Sequence, residues 1–244
     1  TDRCNFRCVY CMPREVFGPG YAFVPRDDLL TLEEIARIAG VFAAIGMRKV
    51  RITGGEPLIR RNLEHLIEMI GATEGVQDIS LTTNGSMLTA DRAASLKQAG
   101  LKRLTISLDA LDDATFKSIN DVDYPASRVL DGINNARAAG FLDIKVNAVV
   151  RRGLNEHAVL DLAKHFRHSG CIVRFIEYMD VGETNGWNLD DVIPAADLVD
   201  RIDALYPLEA VSPNYPGEVA KRWRYRDGAG EIGFITSVTQ SFCG

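Results

Sequence analysis

The sequence predicts an α/β protein: parallel strands alternate with helices around a wide or incomplete barrel, and a C-terminal segment of different rhythm follows. Three observations carry this. Short β-branched or aliphatic runs alternate with helical patterns, the signature of βαβ units and a parallel sheet. Each run has one apolar and one polar parity: Val50 and Ile52 against Arg51 and Thr53, Ile79 and Leu81 against Ser80 and Thr82, Leu104 and Ile106 against Thr105 and Ser107, Val146 and Ala148 against Lys145 and Asn147, Val173 and Phe175 against Arg174. Buried parallel strands normally read as continuous apolar runs, and a closed barrel fills its interior with Val, Ile and Leu. Five strands with a polar parity therefore point to a wet cavity lined by those residues, with helices over the apolar parity. The third observation is that the alternation stops after Val181.

The elements follow in order. A helix is expected over 31–45, opened by the capping box Thr31-x-x-Glu34, with Ile35, Ile38, Phe42 and Ile45 on one face and Gly46 as its stop. A strand over 48–53 precedes a helix marked by Leu63, Leu66, Ile67 and Ile70. Strand 78–83 leads to helix 90–99, closed by Gly100; strand 103–108 leads to helix 127–139, closed by Gly140. Strand 144–150 leads to helix 156–166 with Asn155 as its N-cap, and strand 172–176 completes the series. Beyond it, 194–205 reads as a helix with Pro in its first turn. Runs 219–225 and 231–236 read as a hairpin around Asp227-Gly228-Ala229-Gly230, a lid or extension over one barrel mouth. The domain division is 1–181 for the barrel and 182–244 for the extension.

Composition narrows the function. Lys plus Arg is 28 against 33 for Asp plus Glu, a net charge of −5, which argues against nucleic-acid binding by bulk electrostatics. No stretch approaches the ~20 apolar residues of a membrane span, and no secretory leader opens the chain; the protein reads as soluble and cytosolic. It starts directly in a cysteine cluster and stops at Phe242-Cys243-Gly244 without a cap, so it reads as the ordered piece of a longer protein. Of the five cysteines, Cys4, Cys8 and Cys11 lie within eight residues. An odd, clustered set is not a disulfide framework and points to metal or redox chemistry.

The C-x3-C-x2-C spacing of Cys4, Cys8 and Cys11 supplies three thiolates to a four-iron cluster and leaves one iron open for a chelating ligand such as S-adenosylmethionine (SAM). The alternative is a structural zinc ion, closed by Cys243 or a His. Thr53-Gly54-Gly55-Glu56-Pro57 ends a strand; its glycines allow close approach of a ligand to the backbone, and Glu56 could accept from an ammonium. Arg51, Lys145 and Arg174, on the polar parity, suit an anionic ligand.

With these motifs in phase, the chain resembles the radical SAM superfamily and, within it, the GTP 3',8-cyclases of molybdenum cofactor biosynthesis. The carriers are 1–13, Arg51 to Pro57, Leu81-Thr82-Thr83-Asn84-Gly85, Ser107-Leu108-Asp109, Lys145-Val146-Asn147, Arg174 to Met179 and Gly230 to Ile235. The resemblance implies a partial (β/α)6 TIM-type barrel whose first strand lies largely before Thr1. It implies that Cys4, Cys8 and Cys11 bind a first [4Fe-4S] cluster, that Tyr10, Gly55, Ser107 and Met179 surround SAM, and that Arg51, Thr82 and Lys145 lie near GTP. Cys243 matches the first of three ligands of a second [4Fe-4S] cluster, with the other two expected beyond Gly244. The implied reaction is radical: SAM is cleaved, the 5'-deoxyadenosyl radical takes the C3' hydrogen of GTP, and C3' attacks C8 to give 3',8-cyclo-7,8-dihydro-GTP. The implied partners are GTP, an electron donor and the cyclic pyranopterin monophosphate synthase that takes the product, with neither nucleic acid nor membrane, and with room for a homodimer. Two rivals stand beside this reading: another radical SAM enzyme with an auxiliary cluster, of the peptide-modifying type, and a non-catalytic zinc or iron-sulfur module. Cys171, the four histidines and the basic-aromatic run 221–226 read as structural.

Overall fold

The computed structural model describes residues 1–182, 186–215 and 217–240. In chain order the elements are α1 (Leu32–Ala44), β1 (Lys49–Ile52), α2 (Leu63–Gly71), β2 (Asp78–Thr83), α3 (Ala90–Gln98), β3 (Arg103–Ser107), α4 (Asp113–Asn120), α5 (Ala126–Ala138), β4 (Lys145–Val150), α6 (Val159–Phe166), β5 (Ile172–Glu177), α7 (Ala195–Asp203), β6 (Leu208–Val211), β7 (Lys221–Tyr225) and β8 (Glu231–Ile235). They form two compact units: Thr1–Asn5 with Gly20–Ile106 and Arg128–Ile144, and Phe6–Pro19 with Ser107–Ser127 and Lys145–Gly244. No helix among the described residues is long and apolar enough to cross a membrane.

In the first unit β1, β2 and β3 run parallel, with Val50 opposite Ile79 and Leu81 opposite Leu104. Leu66, Ile67 and Ile70 of α2, Leu96 of α3 and the apolar parity of β2 and β3 are buried. The Thr31 capping box forms as expected: Glu34 N–H donates to Thr31 Oγ1 at 3.1 Å, and Thr31 N–H to Glu34 Oε2 at 2.8 Å, a cap typically worth ~1 kcal/mol. The apolar stripe expected on α1 does not face the core. Ala39 and Ala43 are buried, whereas Phe42 and Ile45 are 51% and 78% exposed. Ala39 and Ala43, four residues apart, share the buried face, and Phe42 and Ile45 lie outside it.

In the second unit β4, β5 and β8 run parallel, and β8, β7 and β6 antiparallel, in the order β4-β5-β8-β7-β6. The hairpin of β7 and β8 forms, but as a continuation of the sheet and not as a lid: β8 pairs directly with β5, with Phe175 opposite Phe234. Burial strictly alternates along β4, with Val146, Ala148 and Val150 inside and Lys145, Asn147 and Val149 half-buried. Arg174 is buried; its Nε donates to Asn147 Oδ1 at 2.9 Å. Gly233 lies opposite it, where an added Cβ would stand 3.0 Å from the Arg174 stem. Arg222 pairs with Glu231 across the hairpin and Arg224 with Glu209, so the basic run 221–226 is ordinary strand alternation. Pro194 caps α7 from outside instead of entering its first turn.

Three further departures are local. Asn155 does not cap the 3₁₀ turn Glu156–Ala158 that leads into α6, because its side chain is engaged elsewhere. Neither α4 nor the four-residue β6 was expected from periodicity.

Candidate active site

Each unit carries part of the motif set. In the first, residues 1–4 lie along the turn 53–57. Gly55 N–H donates to Thr1 O at 2.7 Å and Glu56 N–H to Arg3 O at 2.8 Å. A Cβ on Gly54 would stand 2.5 Å from Thr1 O, and one on Gly55 2.1 Å from Arg3 O. The chain's own segment leading into Cys4 uses the close approach that these glycines permit. Gly55→Ala must displace that segment; the expected result is a melting temperature lower by roughly 5–10 °C and less iron taken up per chain. A parent-like melting curve would show that the contact yields cheaply.

Glu56 is 1% exposed. Its carboxylate accepts from Leu58 N–H at 2.9 Å, Thr83 Oγ1 at 2.7 Å and Asn84 N–H at 2.7 Å. Burial raises its pKa, and those three donors oppose the rise. Glu56 thus ties the Gly-Gly turn to the end of β2 and is closed to the ammonium of a ligand, which corrects the expectation from sequence. Beyond β2, Asn84 meets the cysteine segment: its Nδ2 donates to Asn5 Oδ1 at 2.9 Å and lies 3.9 Å from Cys4 Sγ.

In the second unit, the loop 6–19 is docked on α4. Arg7 N–H donates to Asn120 O and Val9 N–H to Ile119 O, both at 2.9 Å. Phe6 packs on Phe116 and Tyr124 with ring centroids 6.3 and 5.4 Å away. Cys8 O accepts from Cys11 N–H and Met12 N–H at 2.9 Å, so one tight turn carries both thiols. The half-buried Tyr10 donates from its hydroxyl to Asp109 Oδ2 at 2.8 Å. Asp109 Oδ1 accepts from Val149 N–H at 2.8 Å. Asn155 completes the frame: its Nδ2 donates to Asp109 O and Val149 O, and its Oδ1 accepts from Arg151 N–H. Burial pushes the Asp109 carboxyl up to about 6, against the Tyr10 and Val149 hydrogen bonds. The Tyr10 hydroxyl lies well above its ordinary range, through burial first, then the Asp109 charge and the Cys8 and Cys11 thiols. Sequence reasoning missed Asp109 and Asn155 as supports, although Asp109 stood in the motif Ser107-Leu108-Asp109 and Asn155 stood out as a cap.

Glu177 at the end of β5 plays a similar part for the tail. It accepts from Ala195, Val238 and Thr239 N–H, each at 2.8 Å, and from Thr239 Oγ1 at 2.5 Å. Burial would raise its carboxyl, but these bonds prevail and hold it below the usual range.

The residues expected around the ligands are distributed as follows. Cys4, Gly55, exposed Arg51 and half-buried Thr82 belong to the first unit; Cys8, Cys11, Tyr10, half-buried Ser107 and Lys145, and exposed Met179 belong to the second. Cys243 lies outside the described residues. Cys4, Cys8 and Cys11 carry no disulfide. Among the described residues no three His, Cys, Asp or Glu side chains converge as ligands of one ion would. Within the second unit, the Cys8 and Cys11 thiols sit on one tight turn, half-buried and exposed; thiols of this kind are what an iron-sulfur cluster takes, one per iron.

Comparison with known proteins agrees with this geometry. Residues 1–166 match the radical SAM superfamily and residues 171–244 the Molybdenum Cofactor Synthesis C family. The chain is 56% identical over 243 residues to the GTP 3',8-cyclase of Acidothermus cellulolyticus, covering all of this chain and 67% of the relative. It is 46% identical to that of Staphylococcus epidermidis, covering 71% of it. Among solved structures it is similar to Streptococcus suis SuiB bound to S-adenosylmethionine (TM-score 0.66, 16% identity, 84% of this chain and 44% of that one). It is also similar to methylornithine synthase PylB (TM-score 0.63, 14% identity, 84% and 60%). The structural likenesses carry the fold, a partial barrel of the radical SAM kind. With identity of this order along its whole length, the chain belongs to the radical SAM superfamily and, within it, to the GTP 3',8-cyclase family.

Proposed function

We propose that the chain converts GTP to 3',8-cyclo-7,8-dihydro-GTP, the first step of molybdenum cofactor biosynthesis. The observation that carries this is its 46–56% identity, end to end, to enzymes named GTP 3',8-cyclase, on a chain whose thiol loop has the donor chemistry of an iron-sulfur site.

Cys4, Cys8 and Cys11 would hold the first [4Fe-4S] cluster. Bound there, a reduced cluster supplies the electron that splits the sulfonium of SAM, so that the C3' hydrogen of GTP can be abstracted. Tyr10, fixed by Asp109, would pack beside SAM, with Ser107 and Met179 and with Gly55 through its carbonyl, since its N–H already serves Thr1. Arg51 and Lys145 would meet the triphosphate, whose charge needs cations inside a polar cavity. Thr82 joins them: its hydroxyl oxygen is buried with no hydrogen-bond partner among the described residues, a group that a ligand would satisfy. Cys243 would be a ligand of the second cluster. Residues 182–244 act as an extension to the barrel of 1–181. On the same reading GTP comes with an electron donor, and the product passes to cyclic pyranopterin monophosphate synthase in the cytoplasm.

The test is anaerobic. The protein is reconstituted with iron and sulfide, given SAM and a reductant, and assayed for 5'-deoxyadenosine with and without GTP. GTP-dependent formation with loss of GTP is expected; formation indifferent to GTP would mean another radical SAM substrate, such as a peptide. Arg51→Ala and Lys145→Ala should each raise KM for GTP roughly tenfold or more, with little change in KM for SAM. An unchanged KM for GTP in both would remove them from the GTP site.

A further inference from the structure

Asn84, just beyond β2, is fixed by a closed ring of hydrogen bonds. Its Nδ2 donates to Asn5 Oδ1 at 2.9 Å, Asn5 Nδ2 donates to Ser86 Oγ at 2.8 Å, and Ser86 Oγ donates to Asn84 Oδ1 at 2.6 Å. Ser86 N–H also donates to Asn84 Oδ1, at 3.0 Å. A backbone N–H can only donate, so the group that faces it must be the carbonyl oxygen and not the NH2. This settles the orientation of the amide. One Nδ2 hydrogen goes to Asn5, and the other is left on the side of Cys4, whose sulfur lies 3.9 Å away. The backbone beneath is equally fixed, since Asn84 N–H is held by the buried Glu56.

A thiol sulfur is a weak acceptor; a metal-bound thiolate carries more charge and accepts more strongly. Hydrogen bonds to the sulfurs are among the determinants of an iron-sulfur reduction potential, because they stabilise the more negative, reduced state. We propose that Asn84 is a positioning residue for the iron-sulfur site: its amide donates to the Cys4 sulfur, orients it and raises the reduction potential of the cluster bound there. The inference rests on Cys4 being a cluster ligand.

The experiment is a redox titration of the reconstituted protein, read by the EPR signal of the reduced cluster, on the parent, Asn84→Ala and Asn84→Asp. EPR sees only loaded molecules, so partial loading does not blunt it. Both variants should titrate at more negative potential. At the parent's midpoint, the ratio of reduced to oxidised cluster should fall roughly tenfold in Asn84→Ala, and further in Asn84→Asp, where a carboxylate oxygen faces the sulfur. A shift in Asn84→Asp alone would be a plain charge effect and would overturn the proposal, as would a loaded Asn84→Ala with the parent's midpoint. If neither variant loads, Ser86→Ala, which keeps Asn84 but removes a member of the ring, is read by the same criterion. A parent that holds no cluster would instead defeat the cluster assignment itself.

Discussion

Cys8→Ser should abolish 5'-deoxyadenosine formation, a loss of at least ~1000-fold, while leaving the chain folded. The local structure explains the second half. What Cys8 contributes to its turn is a backbone carbonyl, which accepts from Cys11 and Met12 N–H, and serine supplies the same carbonyl. The side chain is only half-buried, so one heavier atom more or less changes little packing. The first half follows from softness: a hydroxyl near neutral pH is protonated and is a poor ligand for iron, whereas a thiolate is a good one. Iron content, colour and 5'-deoxyadenosine should fall together, with a far-UV spectrum like the parent's. A Cys8→Ser protein that makes 5'-deoxyadenosine at the parent rate would sink the cluster assignment.

Glu56→Ala should lower stability by about 3–5 kcal/mol, a fall in melting temperature of roughly 8–15 °C for a chain of this size. The cost does not come from the worth of the charge, which burial already disfavours. It comes from three donors, Leu58 N–H, Thr83 Oγ1 and Asn84 N–H, left facing a void in a place water cannot reach. Glu56→Gln should cost less, since one amide oxygen still accepts, but not nothing, since its NH2 must oppose a donor. Because the same carboxylate holds the Asn84 backbone, both variants should also weaken iron retention. A melting temperature within ~2 °C of the parent for Glu56→Ala would show that the cavity admits water or collapses.

The strand and helix series could be read from sequence because its signals are local. The Thr31 and Glu34 cap lies within four residues, and the parity of Val146, Ala148 and Val150 needs only one strand. What escaped was long-range. Nothing around Glu56 shows that Thr83 and Asn84, 27 and 28 residues later, will close on its carboxylate, so a tie between two turns looks like a ligand group. The glycines of the same turn were correctly marked as a close approach, yet the approaching group was a segment some 50 residues upstream. α4 was missed because it is eight residues long and buries only Phe116, Ile119 and Asn120, too few for a period to show; its N-cap Asp112, which accepts from Thr115 N–H, was the available clue. Asn155 looked like a cap because asparagine before a helix commonly is one, and only the geometry shows its side chain joined to Asp109 and Val149.

The position of β8 has a consequence for biosynthesis. It follows β6 and β7 in the chain, yet it lies between β5 and β7, so the hairpin partner β7, and β6 behind it, have no route to β5 except through it. A ribosome that has emitted residues up to 230 therefore holds a finished β5 with an open edge and two later strands that cannot cover it. Such an edge is a template for pairing with other chains, and it remains so until β8 has been made and has paired with it. Assembly of this part of the sheet is thus gated by the synthesis of β8, because β6 and β7 reach β5 only through it.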